Sequence, residues 1–413
     1  MKKFFALFFL SLLSIQLYGQ KLDFEPPLLY EYYYSPSDSI QGVFQLTFQI
    51  NYENLSFIKN EDVYSSKIRV TLELRDSSSG NILRSNQNKE ISVSTFEETQ
   101  RKNKSCQGLL TLNLSKNKYY TTITLTDLQV NKEIAIPGFS IDLSTLQPKA
   151  FVVLSGGSGN YYLANKRRTI PFSPEIYSYV YYPGGLPGVS ASNQNDSLCL
   201  KFQSQTDSFV FCSTVNSTNS FLLEEDSLGV FLSPSINSPQ KYFLFKDISL
   251  KLPEGKFKIL ENEKVRSSLE VKWWDKPHSL LNYEISLKAL SLIEPKYVID
   301  SLRELSGNFG YKYFYRYWQK YDPTPGTVYN ELMVEFYSRA DYAQKTFANF
   351  STPDGILSDR GRVFIQFGQP SGMERTTSVN GKNMEIWFYK ERNKTYYFVD
   401  NAGNGGYQLV KDK

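Results

Sequence analysis

The sequence predicts a mainly β protein: two β-sandwich-like domains followed by an α+β module of three helices and a four-stranded antiparallel meander. Three observations predict it. Apolar and polar residues alternate with period two in segment after segment up to Trp274, and clusters of turn-forming residues interrupt them at short intervals. The period changes to that of a helix only after Pro295. The 413 residues are too many for one compact core, and 41% hydrophobic residues with 30 Tyr and 29 Phe supply ample apolar material for several.

The chain opens with basic Lys2 and Lys3 and the nearly unbroken apolar run Phe4–Leu13. This is the pattern of a secretory signal peptide, placed at residues 1–20, and it is shorter than the roughly 20 apolar residues of a membrane span. No later segment supplies a transmembrane helix, and no cysteine stands near the cleavage point to take a lipid, so peripheral membrane association is the most intimate one left open. The expected location is the periplasm or the surface of a bacterial envelope. With 46 basic and 42 acidic residues the charge is nearly balanced, which gives no reason to expect nucleic acid as a partner. The single histidine, His278, excludes multi-histidine metal sites, and any Ser-His-Asp triad would have to run through it. No metal or cofactor is expected.

A first β domain is placed at residues 22–145. In Gly42–Ile50, Phe44, Leu46, Phe48 and Ile50 alternate with Val43, Gln45, Thr47 and Gln49, the pattern of a strand with one buried face. Similar segments follow at Lys67–Arg75, Glu90–Thr95, Leu109–Leu114 and Tyr119–Leu125, and Leu143–Pro148 reads as a linker. A second β domain, at 149–278, contains Tyr177–Tyr182, Ser197–Phe202, Ser208–Ser213, Val230–Leu232, Tyr242–Phe245, Gly255–Leu260 and Ser267–Trp274. The glycine-rich Ser155–Gly159 lacks the Gly-Lys-Ser/Thr ending of a phosphate-binding loop and reads as a hairpin turn. Cys199 and Cys212 stand in neighbouring strands, where they either form a disulfide or serve as two small buried hydrophobes. Trp273 and Trp274 point to opposite faces, the first into the core and the second over the junction with the next module. His278, at that junction, reads as a structural hydrogen-bond donor.

The third region is placed at 281–413. Tyr297, Val298, Leu302 and Leu305 have helical spacing behind Pro295, and Tyr311, Phe314, Tyr315 and Trp318 form an aromatic helical stripe. Two prolines in Asp322–Thr327 stop that helix, and a third runs from Val328 to Phe350 with Leu332, Phe336, Ala340, Ala343 and Phe347 on its buried face. Glu335 and Arg339 are spaced to pair on its surface. Arg362–Phe367, Met384–Tyr389, Thr395–Val399 and Tyr407–Val410 read as the four strands of the meander.

These residues carry a family likeness. Tyr317–Thr327, Asn330-Glu331, Arg339–Ala343, Asp359–Arg362, Phe367–Pro370 and Glu385-Ile386-Trp387, in that order, resemble the GWxTD domain over about residues 281–411. The name-giving motif is here Gly355-Ile356-Leu357-Ser358-Asp359, with Ile for the Trp and Ser for the Thr. The resemblance implies an exported envelope protein of the kind found in Bacteroidetes, with β-rich domains ahead of the module, and it implies no particular activity. The candidate site comprises the polar and aromatic motif residues Asp322, Thr324, Asn330, Glu331, Arg339, Asp359, Arg360 and Trp387. Charges set in aromatic segments are either paired within the fold or part of a site. One reading has them fixing turns and helix ends; a second makes Asp322, Glu331 and Asp359 the acid and base of a hydrolase with Arg339 binding an anion; a third is a ligand site without chemistry. Convergence of the three carboxylates in an open cleft would favour the hydrolase. The expected function is non-enzymatic, an interaction or assembly role with envelope protein or glycan partners, and the alternative is a carboxylate-dependent hydrolase of envelope glycans or peptides.

Overall fold

The computed structural model describes residues 27–37, 40–101, 104–144, 149–155, 161–164, 169–182, 197–305, 307–350 and 352–412. The signal peptide, most of the 143–148 linker and most of the Ser155–Gly159 turn lie outside these residues. The chain is mostly β, and apart from one short helix its α-helices are gathered near its C-terminal end.

The first unit contains strands β1 (Leu29–Pro36), β2 (Gln41–Asn51), β3 (Ile58–Asn60), β4 (Val63–Asp76) and β5 (Ile82–Val93), the short helix α1 (Phe96–Thr99), and strands β6 (Ser105–Ser115), β7 (Lys118–Asp127) and β8 (Lys132–Asp142). One sheet has the order β1-β2-β6; in the other, β4 is flanked by β5 on one edge and by β3 and then β7 on the other, with β8 beyond β7. Phe44, Leu46, Phe48 and Ile50 of β2 pack against Ile68, Val70, Leu72 and Leu74 of β4, so the period-two face read in the sequence closes a sandwich core. The opposite face of β2 is not solvated as the alternation predicts: Gln45, Thr47 and Gln49 are 5%, 0% and 1% exposed. The next unit covers it.

That unit contains β9 (Lys149–Ser155), β10 (Tyr161–Leu163), β11 (Thr169–Pro171), β12 (Tyr177–Tyr182), β13 (Ser197–Gln203), β14 (Ser208–Glu225), β15 (Val230–Phe245), β16 (Gly255–Glu261) and β17 (Lys264–Lys272). They form one sheet of order β10-β9-β12-β15-β14-β13-β16-β17-β11, and β10 also pairs with β15. The sheet folds over, so Tyr177, Tyr179 and Tyr181 of β12 share a core with Leu200, Phe202, Phe257, Ile259 and Leu269 from its far half. The β14–β15 hairpin is far longer than the short runs legible in the sequence, and register shifts between Val215 and Ser220 bend it. Cys199 and Cys212 are directly opposite in the β13–β14 ladder and form a disulfide. Both lie on the exposed face of the sheet, which removes the alternative of two buried hydrophobes.

The outer face of β9, β12 and β15 packs on the first sandwich, where Phe151, Val180 and Leu244 meet Tyr33 and Leu109. Polar groups fix the register. The Gln45 amide donates to the Leu223 carbonyl at 2.7 Å and accepts from the Leu223 N–H at 2.9 Å, acting as an added strand residue for β14. Glu225 accepts from Lys89, from Gln87 and from the Leu109 N–H.

The C-terminal unit contains α2 (Tyr283–Leu290), α3 (Lys296–Glu304), α4 (Gly307–Trp318), α5 (Glu331–Phe347) and α6 (Asp359–Phe367), then the antiparallel meander β18 (Gly372–Thr377), β19 (Asn383–Tyr389), β20 (Lys394–Asp400) and β21 (Tyr407–Asp412). Two helices are additional to the three read from the sequence. Helix α2 starts at Asn282, whose side chain accepts from the Glu284 and Ile285 N–H groups. Helix α6 occupies the segment that alternates like a strand, and the first meander strand is instead Gly372–Thr377. Over so few residues Val363, Phe364 and Phe367 satisfy a helical period as well, and the Ser358 cap with Gly368 at φ +79° as the stop decides the matter. On α5 the buried face includes Met333 and Tyr337, and Leu332 is exposed. The junction is made by Trp273, whose ring packs on Phe172 and Tyr329 and joins the C-terminal core. Trp274 is half-buried with the Lys272 ammonium 3.8 Å from its ring centroid. The donor at His278 is its backbone N–H, bonded to Asp341, while the residue itself is exposed.

Lys149, at the start of β9, donates to Ser35 of β1 at 2.9 Å across the contact between the first two units. The residue as a whole is half-buried, yet its ammonium is desolvated, and burial lowers its pKa from 10.5 to about 8. The folded state thus disfavours the protonated form. Below about pH 8 this group destabilises the fold, and the penalty is relieved as pH rises towards 10.5. Between urea melts at about pH 7.5 and pH 9.5 the wild type should gain stability relative to Lys149→Met, the tyrosines and Cys106 whose pKa values burial raises being common to both; identical pH dependences would remove Lys149 from the account.

Candidate functional site

The motif residues divide into two groups at opposite ends of helix α5. At its N-terminus, Asn330 is the helix cap: its Oδ1 accepts from the Met333 N–H at 2.9 Å and its Nδ2 donates to the Trp318 carbonyl at 2.9 Å, so one buried side chain closes the end of α4 onto the start of α5. The intervening turn is held by Asp322, whose Oδ1 accepts from the Thr324 N–H at 2.8 Å. Thr324 Oγ1 donates to Glu331 at 2.7 Å and lies 3.3 Å from Asp322 Oδ1, which brings these two carboxylates to one hydroxyl. Beside them, burial and then the charges of Asp275 and Glu331 push the Tyr329 hydroxyl up to about 12.

The second group surrounds α6. Gly355 packs against α5, where a Cβ would come within 2.3 Å of the Ala343 carbonyl oxygen. Ile356 fills the motif's Trp position at 2% exposure within the C-terminal core. Ser358 caps α6 by accepting from the Gly361 N–H at 3.0 Å and donates to the Gly355 carbonyl at 2.7 Å, both of which a Thr hydroxyl could do. Gly361 has no room for a side chain, since a Cβ there would stand 1.9 Å from the Gly355 oxygen. Asp359, in the first turn of α6, accepts from the Leu409 N–H of β21 at 2.8 Å. The motif is therefore a tight loop and helix start clamped to α5 on one side and to the sheet edge on the other.

Arg360 completes the clamp. Its guanidinium donates to Glu385 at 3.3 Å and to the Gly405 carbonyl at 3.1 Å, and it lies 4.2 Å from the Tyr407 ring centroid and 5.0 Å from that of Phe347. Glu385 is 3% exposed and also receives Arg375 Nε at 3.1 Å and Trp387 Nε1 at 3.3 Å. Trp387 is buried among Phe347, Phe364 and Phe398. Arg339 pairs with Glu335 as its spacing predicts, and its guanidinium sits over Gly368, whose carbonyl accepts from the Tyr389 hydroxyl.

Glu385 and Asp341 stand in the motif runs read from the sequence but outside the candidate site drawn from them. Glu385 shares the inward face of β19 with Trp387 two residues on, and a carboxylate at an inward strand position was the available signal. Asp341 accepts from the backbone N–H groups of His278 and Ser279 at 2.5 and 2.8 Å, tying α5 to the junction, and its spacing offered no such signal.

The three carboxylates do not converge. Asp322 and Glu331 stand at the start of α5, while the loop before Asp359 packs on Ala343, twelve residues or about 18 Å along the helix. Asp359 instead lines an open cleft of about 290 Å³ bounded by α6, the 401–406 loop and the start of β21. That loop is shaped by Asp400: burial acts to raise its pKa, but the Gly405, Asn404, Gly403 and Ala402 amides outweigh it, leaving the carboxyl below its ordinary value.

Removing Glu385 would leave Arg360, whose side chain is 13% exposed, without its carboxylate. Glu385→Ala should cost about 3–5 kcal/mol in urea unfolding, whereas Arg375→Ala, whose side chain is 74% exposed, should cost less than about 1 kcal/mol. In the loop, Gly361→Ala should destabilise by more than about 2 kcal/mol and Ser358→Ala by about 1 kcal/mol, with Ser358→Thr near neutral. Equal losses for Ser358→Thr and Ser358→Ala would refute the capping role.

Among curated proteins none matches this chain. Likeness to solved structures is slight. A calcium-binding mutant of Bacteroides uniformis beta-glucuronidase 2 aligns at 9% identity and a TM-score of 0.19, over 35% of this chain and 16% of its own length. The C-terminal domain of the Streptococcus pyogenes antigen I/II-family protein AspA aligns at 9% identity and a TM-score of 0.16, over 59% of this chain and 97% of that one. Neither carries an argument about fold or function at such scores. Among the described residues no helix is long and apolar enough to cross a membrane. The region that holds both groups of motif residues does have a family: residues 287–412 match the GWxTD domain, and the protein carries that domain as its C-terminal module.

Proposed function

We propose that this is an exported cell-envelope protein with a non-enzymatic interaction or assembly role, in which the GWxTD domain is a rigid module docked to two β-rich units. The observation that carries the reading is the use of the motif's polar groups in holding the fold: Asn330 and Ser358 cap helices, Asp359 binds a strand amide, and Arg360 is consumed by Glu385 and Gly405. A catalytic acid and base need to face a common substrate. Export is supported by the leader-like residues 1–20 and by the Cys199–Cys212 disulfide, which suits an oxidising compartment. A hydrolase is the second reading, favoured by the approach of Asp322 and Glu331 to one threonine hydroxyl on an exposed turn.

Cross-linking of the tagged full-length protein in its native envelope is expected to capture a discrete protein or glycan partner, and incubation with purified peptidoglycan and envelope polysaccharide is expected to release no product. Product release that disappears in Asp322→Asn and Glu331→Gln variants of unchanged stability would overturn the non-enzymatic reading and establish the second.

A further inference from the structure

The cleft beside Asp359 has a chemistry of its own. It lies between the first turn of α6 and the loop joining β20 to β21, and its walls include Thr352, Asp359, Asn401, Asn404, Tyr407 and Gln408. Hydroxyls, side-chain amides and one carboxylate share the walls about evenly with apolar surface, which the Tyr407 ring, Leu357 and Ala402 contribute to. A volume of about 290 Å³ is at the lower bound of small-molecule sites. We propose that this cleft binds a neutral carbohydrate, a short stretch of an uncharged glycan. The proposal rests on the interaction role proposed above and gives that role a ligand class and a place.

Charge selects against an anionic ligand. None of the residues lining the cleft is basic, and Asp359 brings a carboxylate. Beside it Arg360 is paired with Glu385 while covering the Tyr407 ring, and Lys382 donates to Asn401 Oδ1 at 3.0 Å from outside the lining. A wholly apolar ligand would cover the hydroxyls, amides and carboxylate that make up the other half of the walls without pairing them. A peptide adding as a strand beside β21 would need the Leu409 N–H, and Asp359 has taken it. What remains is a ligand rich in neutral hydroxyls, each able to donate and accept, for which amides, hydroxyls and a carboxylate are suitable partners. Asn401 Nδ2 donates to Gln408 Oε1 at 2.9 Å, which fixes the pair and leaves the Gln408 Nε2 donors outside that bond. A lone carboxylate in the cleft also suits binding without hydrolysis, since glycoside cleavage needs two flanking the bond.

The test is calorimetric titration of the full chain with cello-, malto-, chito- and manno-oligosaccharides, with polygalacturonate as the anionic comparison. At least one neutral series should bind saturably, and Asn401→Ala combined with Gln408→Ala should weaken it about tenfold or more. Both residues are exposed, so the melting temperature should not change. Binding of polygalacturonate alone, or neutral binding untouched by the double variant, overturns the site. No sugar binding while a protein partner is still captured from the envelope overturns the glycan site and leaves the interaction role standing. Binding accompanied by shortened oligosaccharides does the reverse: it keeps the site and overturns the non-enzymatic role.

Discussion

The C-terminal domain is organised around one buried carboxylate. Glu385 stands on an inward position of β19 and receives Arg360 from α6, Arg375 from β18 and the Trp387 indole. A buried charge is tolerated only when it is paired and hydrogen-bonded, so each partner has little freedom to be elsewhere. Arg360 fixes the position of α6, and through Gly405 and Tyr407 it also fixes the loop leading into β21. Asp359, one residue before Arg360, then meets the edge of β21 at Leu409. The cleft on this side of the module is a consequence of that arrangement.

The motif that names the family is legible in the same physical terms. Its glycines are demanded by close approach, since Gly355 lies against the α5 backbone and Gly361 against Gly355 itself. Its hydroxyl residue is a helix cap, for which Ser and Thr are both competent. Its Trp position is a core site that Ile356 fills. The departures at Ile356 and Ser358 therefore preserve what the loop does mechanically: it starts a helix and holds it to α5.

The β-rich units use a related device at their contact. Gln45 pairs with both backbone groups of Leu223, and Glu225 gathers Lys89, Gln87 and the Leu109 amide, so polar groups are satisfied across a mostly apolar surface. At the other end the rings of Trp273, Phe172 and Tyr329 pack at tilted angles between the nine-stranded sheet and the helices, and the Val328 N–H bonds to the Leu250 carbonyl. The module is thus joined to its neighbour by packing as well as by the chain.

The sequence by itself determined the β character, the helical stripes on α4 and α5, three of the four meander strands and the motif, because each rests on local periodicity or on a short ordered pattern. Phe44 and Leu46 are inward whatever lies beyond the sheet, and Phe314 and Trp318 share a helical face wherever that helix packs. Tertiary structure alone decided what depends on partners distant in the chain. Gln45 looks like a solvent-facing residue until Leu223 arrives to cover it. Val363 and Ile365 alternate like a strand, and the Ser358 cap with the close approach of Gly361 to Gly355 makes them helical. Asp322, Glu331 and Asp359 are equal as motif carboxylates in the sequence, yet the length of α5 separates the first two from the third. No period in a sequence encodes that separation, because it is set by which turn of α5 the Gly355 loop packs back on.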